Sequence, residues 1–100
     1  MEKKYRLTDE TINIKGITLY RIEALKDFSI IKKGDKGGFV QSEDNLSHER
    51  NCWVCENAKV YGRARIYGNA IVGGNAEVYG FARIYDNSLI LNNAQEVVCQ

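Results

Sequence analysis

The chain has 100 residues, 44% of them hydrophobic and none of them proline, with 14 Lys+Arg against 13 Asp+Glu, which allows one small domain with a modest core. A net charge of +1 argues against a nucleic-acid protein with a generally basic surface, and no apolar run approaches the roughly 20 residues of a membrane-spanning helix. The start, MEKKYRLTDE, does not predict a signal peptide, and three cysteines without an export signal indicate reduced thiols in a cytoplasmic protein.

Residues 1–38 predict a β-rich cap segment. The stretch YRLTDETINIKGITLYRIEAL alternates in hydrophobicity and reads as strands broken near Asp9–Glu10 and Lys15–Gly16. The segment KKGDKGG, Lys32–Gly38, predicts a mobile surface turn. A phosphate-cradling loop is the alternative for this segment, but it lacks the Walker pattern and a following helix.

Residues 39–100 predict a repeat unit whose period is six. From Asn51 the chain reads NCWVCE, NAKVYG, RARIYG, NAIVGG, NAEVYG, FARIYD, NSLILN, NAQEVV. The second place is small, the fifth is often tyrosine and the sixth is often glycine. The fourth place is β-branched seven times running, at Val54, Val60, Ile66, Val72, Val78, Ile84 and Ile90. Because self-similarity at a fixed period is the sequence signature of a repeat architecture, this period is the main evidence for the fold.

The physical meaning of the six places is a short strand followed by a corner. Alternation over places two to five puts the second and fourth side chains on one side and the third and fifth on the other. The Gly-Asn pair that follows tolerates positive φ and predicts a corner after each hexad. Short strands with a corner every six residues do not form hairpins, so the chain is expected to wind.

This pattern resembles the hexapeptide-repeat left-handed β-helix, in which three hexads make one triangular coil. The hexads NAKVYG, RARIYG and NAEVYG are similar to short NAxVYG-repeat proteins of bacteria and their phages, and LYRIEALKDF, KKGDKGGFV and SEDNLS resemble the segment that precedes the coils there. The resemblance implies an all-β fold, a short left-handed parallel β-helix of about three coils with an N-terminal β-rich cap.

Because one coil takes eighteen residues, residues that are eighteen positions apart should stack in columns. We expect an imperfect first coil at 39–56, coils at 57–74 and 75–92, and a closing stub at 93–100. Three inward columns are predicted, made of Val54, Val72 and Ile90, of Val60 and Val78, and of Ile66 and Ile84. Two asparagine ladders are predicted at the corners, Asn51/Asn69/Asn87 and Asn57/Asn75/Asn93.

The first of three outward walls is apolar, with Trp53, Ile71 and Leu89 at the third place and Leu91 at the fifth place of the last hexad. An apolar column on an outward face predicts a cover. One interpretation is that residues 1–38 of the same chain pack there. The other is a subunit or partner interface with Trp53 as its anchor, continued by Val97 and Val98.

The terminal segment breaks the repeat, because Glu96 stands at a place that is otherwise aliphatic. Either this segment folds over the coil end or the end presents an edge to a second copy. The second interpretation predicts a homodimer or larger assembly.

The second wall carries Lys59, Glu77 and Gln95, an ordinary cross-strand pattern of charges. The third wall carries Arg65 over Arg83 and Tyr67 over Tyr85, with Arg63 above Phe81 near the corner. Arginines beside aromatic rings are the combination that binds phosphates, nucleotides or acidic protein segments. The alternative is a solvated face whose arginines lie on the tyrosines.

Catalytic motifs are scarce in this sequence. Cys52 and Cys55 have CxxC spacing, but alternation predicts one thiol inside and one outside, and no further ligand cluster completes a zinc site. Hexapeptide acyltransferases use a histidine as general base between coils, and His48 is the one histidine here. It stands in the irregular hexad NLSHER, and the extruded loop and helical tail of those enzymes are missing, so we predict no catalytic residue, no metal and no cofactor.

Three functions follow as expectations. The first is a non-catalytic, self-assembling interaction protein, phage- or prophage-encoded, that binds or inhibits a host protein of bacterial immunity. The second is a protein that binds or sequesters a small anion or nucleotide through the arginine–tyrosine wall or a subunit junction. The third is a relative of the hexapeptide acyltransferases.

Overall fold

The computed structural model describes residues 3–92, and within that range ten strands and one 3-10 turn form an all-β fold. The strands are β1 Tyr5–Ile14, β2 Ile17–Ala24, β3 Lys36–Val40, β4 Trp53–Val54, β5 Lys59–Val60, β6 Arg65–Ile66, β7 Ile71–Gly74, β8 Glu77–Val78, β9 Arg83–Ile84 and β10 Leu89–Asn92. The 3-10 turn spans Glu43–Asn45. No helix in the described range is long and apolar enough to cross a membrane.

The N-terminal segment is an antiparallel hairpin of β1 and β2. Its turn lies at Lys15–Gly16, where both residues have positive φ, which confirms the break predicted there. The break predicted near Asp9–Glu10 is wrong, because β1 runs through these residues. Instead the pairing register shifts between Leu7 and Thr11, an irregularity that keeps the strand intact.

Strand β3 joins the hairpin to the coils. It pairs antiparallel with β2 and parallel with β5, so one five-stranded sheet runs in the order β1-β2-β3-β5-β8. The strand begins inside KKGDKGG, so the predicted turn is confined to the residues around Gly34, and Gly37 and Gly38 are buried in the sheet. A β-carbon on Gly38 would come within 2.5 Å of the Ala58 carbonyl oxygen. These two glycines therefore allow close packing of strands and do not form the alternative phosphate loop.

The strand register confirms the predicted coils. Wall one is the parallel sheet of β4, β7 and β10, wall two is β5 and β8 below β3, and wall three is β6 and β9. Trp53 pairs with Ile71, and Ile71 with Leu89, each eighteen residues on. The left-handed winding implied by the resemblance stays a prediction.

The first coil is irregular, as predicted, for an identifiable reason. Leu46 bridges Ile66, twenty residues further on, whereas Trp53 pairs with Ile71, eighteen residues further on. Two extra residues therefore lie between Leu46 and Trp53, and the segment that holds them includes Arg50 at positive φ. This wider loop carries His48.

Glycines turn the corners between hexads. Gly62, Gly68, Gly74 and Gly80 have φ values of 69°, 69°, 66° and 71°. Adjacent to these corners, the Asn51 backbone N–H donates to Asn69 Oδ1 at 3.3 Å, and Asn69 Nδ2 donates to Asn87 Oδ1 at 3.4 Å. One asparagine ladder is thus confirmed, while Asn93 of the other lies outside the described residues.

The core consists of the inward columns closed from above by the cap. Val54, Val60, Ile66 and Val72 are almost completely buried. Tyr5, Ile22 and Leu46 belong to the same apolar cluster, so the N-terminal segment packs on the coils as part of one core.

Candidate anion-binding face

Wall three brings Arg65 and Arg83 side by side. They are direct Cα partners in the parallel pairing of β6 and β9, and both side chains are exposed. The alternation that buries Ile66 turns the arginines outward. Within residues 3–92, no carboxylate lies within 4.0 Å of either guanidinium. Within the described residues, two like charges thus lie together without a direct ion pair to a carboxylate.

Two tyrosines continue the same wall. The rings of Tyr67 and Tyr85 stack with their centroids 5.3 Å apart and their planes inclined by 13°. Such stacking holds flat aromatic surface beside the arginines, as the sequence predicts. The alternative of a solvated face stays open, because both arginines are exposed. Its detail that the arginines lie on these tyrosines does not hold in residues 3–92, where the two rings contact each other and no cation–π contact of Arg65 or Arg83 occurs.

Arg63 occupies the corner of the wall. Its guanidinium lies 5.8 Å from the ring centroid of Phe81, and Phe81 is 78% exposed. Most of this ring is therefore open to solvent beside a cation. The structure therefore brings all five residues predicted for an anion or partner site onto one side of the coil.

Two shallow grooves flank the arginines. One, of about 430 Å³, is lined by Ser47, His48, Arg65, Tyr67 and Arg83 together with the acidic side chains of Glu43, Asp44 and Glu49. The other, of about 460 Å³, contains Arg63, Phe81 and both wall-three arginines. The carboxylates lie on the side of the 3-10 turn and its following loop, so the grooves are basic along the strands and acidic at one rim.

His48 is held in one orientation by two hydrogen bonds. Its Nδ1 accepts from the Lys4 backbone N–H at 3.1 Å, and its Nε2 lies 2.8 Å from Glu43 Oε1. Because an amide N–H only donates, Nδ1 is unprotonated and Nε2 carries the proton in the neutral ring. The ring also stacks on Tyr5 at 4.2 Å. Both nitrogens are thus engaged inside the protein.

The contact with His48 also changes the pKa of Glu43. The hydrogen bond from His48 lowers the pKa of the Glu43 carboxyl, with a smaller contribution from Lys3, whose Nζ lies 3.1 Å away. Hydrogen bonds to a carboxylate favour its charged form. His48 and Glu43 therefore fasten the N-terminus to the wide loop of the first coil.

The interpretation of Trp53 as the anchor of a subunit or partner interface is wrong, because the residue is buried. Only 1% of it is exposed, because Phe28 meets its ring edge to face at 5.2 Å and Tyr5 at 6.3 Å. The first half of the chain covers this part of wall one, which was the other interpretation of the apolar column. Lower on the wall, Ile71 and Leu91 are partly buried and Leu89 is 58% exposed. Val97 and Val98 lie outside the described residues.

The CxxC interpretation also needs correction. Cys52 and Cys55 are both buried, whereas alternation predicted one of them outside. Both belong to the same apolar cluster as Tyr5 and Val54. In residues 3–92 no group of three or more His, Cys, Asp or Glu is placed to hold a metal ion.

A buried lysine near Cys52 was missed by sequence reasoning. Lys4 Nζ donates to the Cys52 carbonyl oxygen at 2.6 Å and to that of Arg50 at 3.3 Å, and it lies 4.9 Å from the Phe28 ring centroid. Burial lowers the pKa of Lys4 and raises the pKa of the Cys52 thiol. Nothing in MEKKY distinguishes this lysine from Lys3, so no sequence signal could have found it.

Comparison with known proteins gives one informative similarity, and no family model matches the chain. The chain is 35% identical over 81 residues to the protein named "Uncharacterized acetyltransferase YdcK" of Escherichia coli strain K12. The alignment covers 72% of this chain and 25% of that protein, so the chain spans about a quarter of the length of the curated relative it matches. The similarity agrees with a relationship to the hexapeptide-repeat superfamily, which the repeat itself indicates.

Proposed function

We propose that this protein is a non-catalytic, self-assembling interaction protein whose arginine–tyrosine face binds an acidic segment of a protein partner. The observation that carries the proposal is the pairing of Arg65 with Arg83 on adjacent strands, with no carboxylate of residues 3–92 within 4.0 Å. Like charges directly opposite on neighbouring strands are destabilising. A bound anion removes that repulsion.

The surroundings of the arginines favour an extended partner over a small enclosed ligand. The grooves are open and shallow, and Phe81 and Tyr85 expose flat aromatic surface next to the cations. Small-molecule sites bury most of their ligand, whereas protein interfaces join arginine and aromatic anchors across a wide surface. An acidic segment laid along the wall would contact both arginines in turn.

The biological setting of the proposal comes from the repeat. Because NAKVYG-type hexads resemble short proteins of bacteria and their phages, we propose a phage- or prophage-encoded protein in the bacterial cytoplasm. Its partner would be a host protein, and inhibition of bacterial immunity would be the outcome of binding.

Titration with a fluorescent poly-glutamate peptide tests the face directly. The double variant Arg65→Ala/Arg83→Ala is expected to bind at least about a hundredfold more weakly, because it loses two charge-assisted hydrogen bonds, each worth about 1.5–3 kcal/mol, and about 1.4 kcal/mol is a factor of ten. The matched control is Arg6→Ala/Lys33→Ala, which removes two exposed cations from the cap. Equal affinity of the two double variants would contradict the proposal.

The alternative function is the binding or sequestering of a nucleotide or other small anion on the same face. Titration of the wild type with ATP and with inorganic phosphate separates the two. Saturable nucleotide binding that is lost in Arg65→Ala/Arg83→Ala, with no binding of the acidic peptide, would favour this alternative.

An acetyltransferase activity is the third candidate, and the similarity to the protein that carries that name supports it. His48 is the residue that such an activity would require as a base, and its two ring nitrogens are occupied by Lys4 and Glu43. The test is release of free coenzyme A from acetyl-CoA, compared between wild type and His48→Asn. Release of coenzyme A that depends on His48 would support an acetyltransferase activity and contradict the proposed non-catalytic function.

A further inference from the structure

The two grooves on wall three are parts of one longer groove. They share Asp44 and both wall-three arginines. Phe81 lines the groove on one side of these residues, and Tyr67 lines the groove on the other side. The joined groove therefore follows β6 and β9 along the outer face of wall three.

The floor and the rim of this groove carry opposite charges. Arg65 and Arg83 project from the paired strands, whereas Asp44 belongs to the 3-10 turn and Glu49 to the wide loop that follows it. Asp44 and Glu49 are exposed, and neither forms an ion pair within 4.0 Å in residues 3–92. Glu43, the third carboxylate of the rim, is already paired within the chain. A group that enters the groove from solvent thus meets cations on one side and carboxylates on the other.

The groove has the length of a short extended peptide. Its floor follows the chain from Arg63 to Tyr67, which at about 3.3 Å per residue is on the order of 13 Å. About five peptide residues in the same conformation cover this length, with successive side chains on opposite sides. At the next corner a cation, Arg50, lies on the loop and an anion, Asp86, on the coil, so the separation of charge between rim and floor ends near Tyr67.

The rim is held in place by hydrogen bonds within the chain. Ser42 Oγ accepts from the Asp44 backbone N–H at 3.3 Å, and Ser47 Oγ accepts from the Glu49 backbone N–H at 3.0 Å. Tyr5 Oη donates to two backbone carbonyls of the same turn and loop. Groups that are ordered before binding lose less conformational entropy when a partner binds. The backbone that carries the rim carboxylates is therefore positioned by the fold.

We infer that the protein segment bound in this groove is extended and alternates in charge, with its carboxylates facing the arginines and its basic side chains facing Asp44 and Glu49. The inference rests on the proposed function and narrows the class of partner. Alternate side chains of an extended segment point to opposite sides, so alternating charges match the floor and the rim together. A segment of acidic residues alone still meets the arginines, but it opposes every second carboxylate to the acidic rim, a like-charge contact that weakens binding.

Fluorescence titration with three peptides of equal length tests this pattern. One peptide alternates glutamate and lysine, one has the same residues as a glutamate block followed by a lysine block, and one is glutamate alone. The alternating peptide is expected to bind at least about twofold more tightly than the block peptide, because each exposed ion pair at the rim contributes a factor of about 1.5 to 5. These two peptides have the same composition and net charge, so only the order of the charges differs. An alternating peptide that binds no better than the block peptide would overturn the inference.

Removal of the rim charges is expected to act in opposite directions on two of the peptides. Asp44→Asn/Glu49→Gln should weaken binding of the alternating peptide and strengthen binding of the glutamate peptide, each at least about twofold. The matched control is Asp9→Asn/Glu77→Gln, which removes two exposed carboxylates outside the groove with the same change of net charge. The control should change the ratio of the two affinities less than the rim variant does, and circular dichroism checks that both variants are folded. A rim variant that shifts both affinities in the same direction would contradict the inference.

Failure of this inference and failure of the proposed function are distinguished by the variant that changes the affinity. Binding of the glutamate peptide that is lost in Arg65→Ala/Arg83→Ala but unaffected by Asp44→Asn/Glu49→Gln keeps the proposed function and removes the alternating pattern. Binding of both peptides that persists unchanged in Arg65→Ala/Arg83→Ala removes the proposed function, and this inference with it.

Discussion

The first coil and the last coil are built from the same six places but have opposite surroundings. Trp53 and Leu89 occupy the same outward place on wall one, two coils apart, yet 1% of Trp53 is exposed and 58% of Leu89. The difference comes from Tyr5 and Phe28, which pack on the tryptophan. A repeat therefore determines the direction of a side chain, and a remote segment determines whether that side chain meets water.

The two regions are also held together by different interactions. The buried polar side chains of the described range are Lys4, Thr8 and Asn45, all in the first half of the chain. Asn45 Oδ1 accepts from the backbone N–H groups of Gln41 and Ser42, and its Nδ2 donates to the Ala64 carbonyl at 2.8 Å. The cap and first coil thus depend on particular side chains, while the later coils depend on the backbone ladder.

The largest expected effect comes from removing the contact between the cap and the tryptophan. Trp53→Ala should lower the free energy of unfolding by about 3–5 kcal/mol, because a buried aromatic side chain is lost and a cavity remains. Leu89→Ala, at the same place of the last coil, should change the free energy of unfolding of the monomer by no more than about 0.5 kcal/mol. Urea unfolding of both variants measures the comparison.

Both variants are measured at a dilution at which the protein is monomeric. The free energy of unfolding of Leu89→Ala then contains no contribution from a subunit contact. Similar losses for the two substitutions would show that the cap does not stabilise the first coil. Trp53→Asp is expected to unfold the protein altogether, because it places an unpaired charge in the core.

A smaller effect is expected where β3 packs on the coils. Gly38→Ala should cost about 1–3 kcal/mol of unfolding free energy, because its β-carbon would meet the Ala58 carbonyl and Val54 Cγ1 at 2.5 Å and 2.6 Å. Gly80→Ala in the last coil has no atom within 4 Å of its β-carbon and is strained only by its φ of 71°. Thermal unfolding of the two variants distinguishes crowding in the first coil from backbone strain in the last. A Gly38→Ala protein as stable as wild type would contradict the close packing of β3.

The smallest effect concerns acid stability of the cap. The pKa of Glu43 is lowered in the fold from its ordinary value of 4.5, chiefly by the hydrogen bond from His48. The unfolded chain therefore binds more protons at this site, and the stabilisation is present above 4.5 and lost as the pH falls through the lowered pKa. Glu43→Gln should remove this part of the pH dependence.

Urea midpoints measured at about pH 6 and about pH 3 give the comparison for Glu43→Gln. The control is Asp9→Asn, which removes an exposed carboxylate of β1 that forms no ion pair in residues 3–92. The wild type should lose more stability between the two pH values than Glu43→Gln does. An equal loss of stability in the two proteins would show that groups other than Glu43 cause the acid sensitivity.

The sequence by itself determined the coils and the direction of their side chains. Six-residue periodicity is a local property, because alternation and glycine corners act within a few residues of the chain. It therefore placed Arg65 above Arg83 and Tyr67 above Tyr85 correctly, and it located the asparagine ladder through Asn69.

Only the tertiary structure decided which outward residues are covered. The burial of Trp53, the inward position of Lys4 and the two hydrogen bonds of His48 all arise where the N-terminal segment meets the first coil. The residues involved are more than forty positions apart in the pairs Lys4–His48 and Lys4–Cys52, and no periodicity connects them. Contacts between unlike segments depend on shape and burial in three dimensions, which a repeat pattern does not encode.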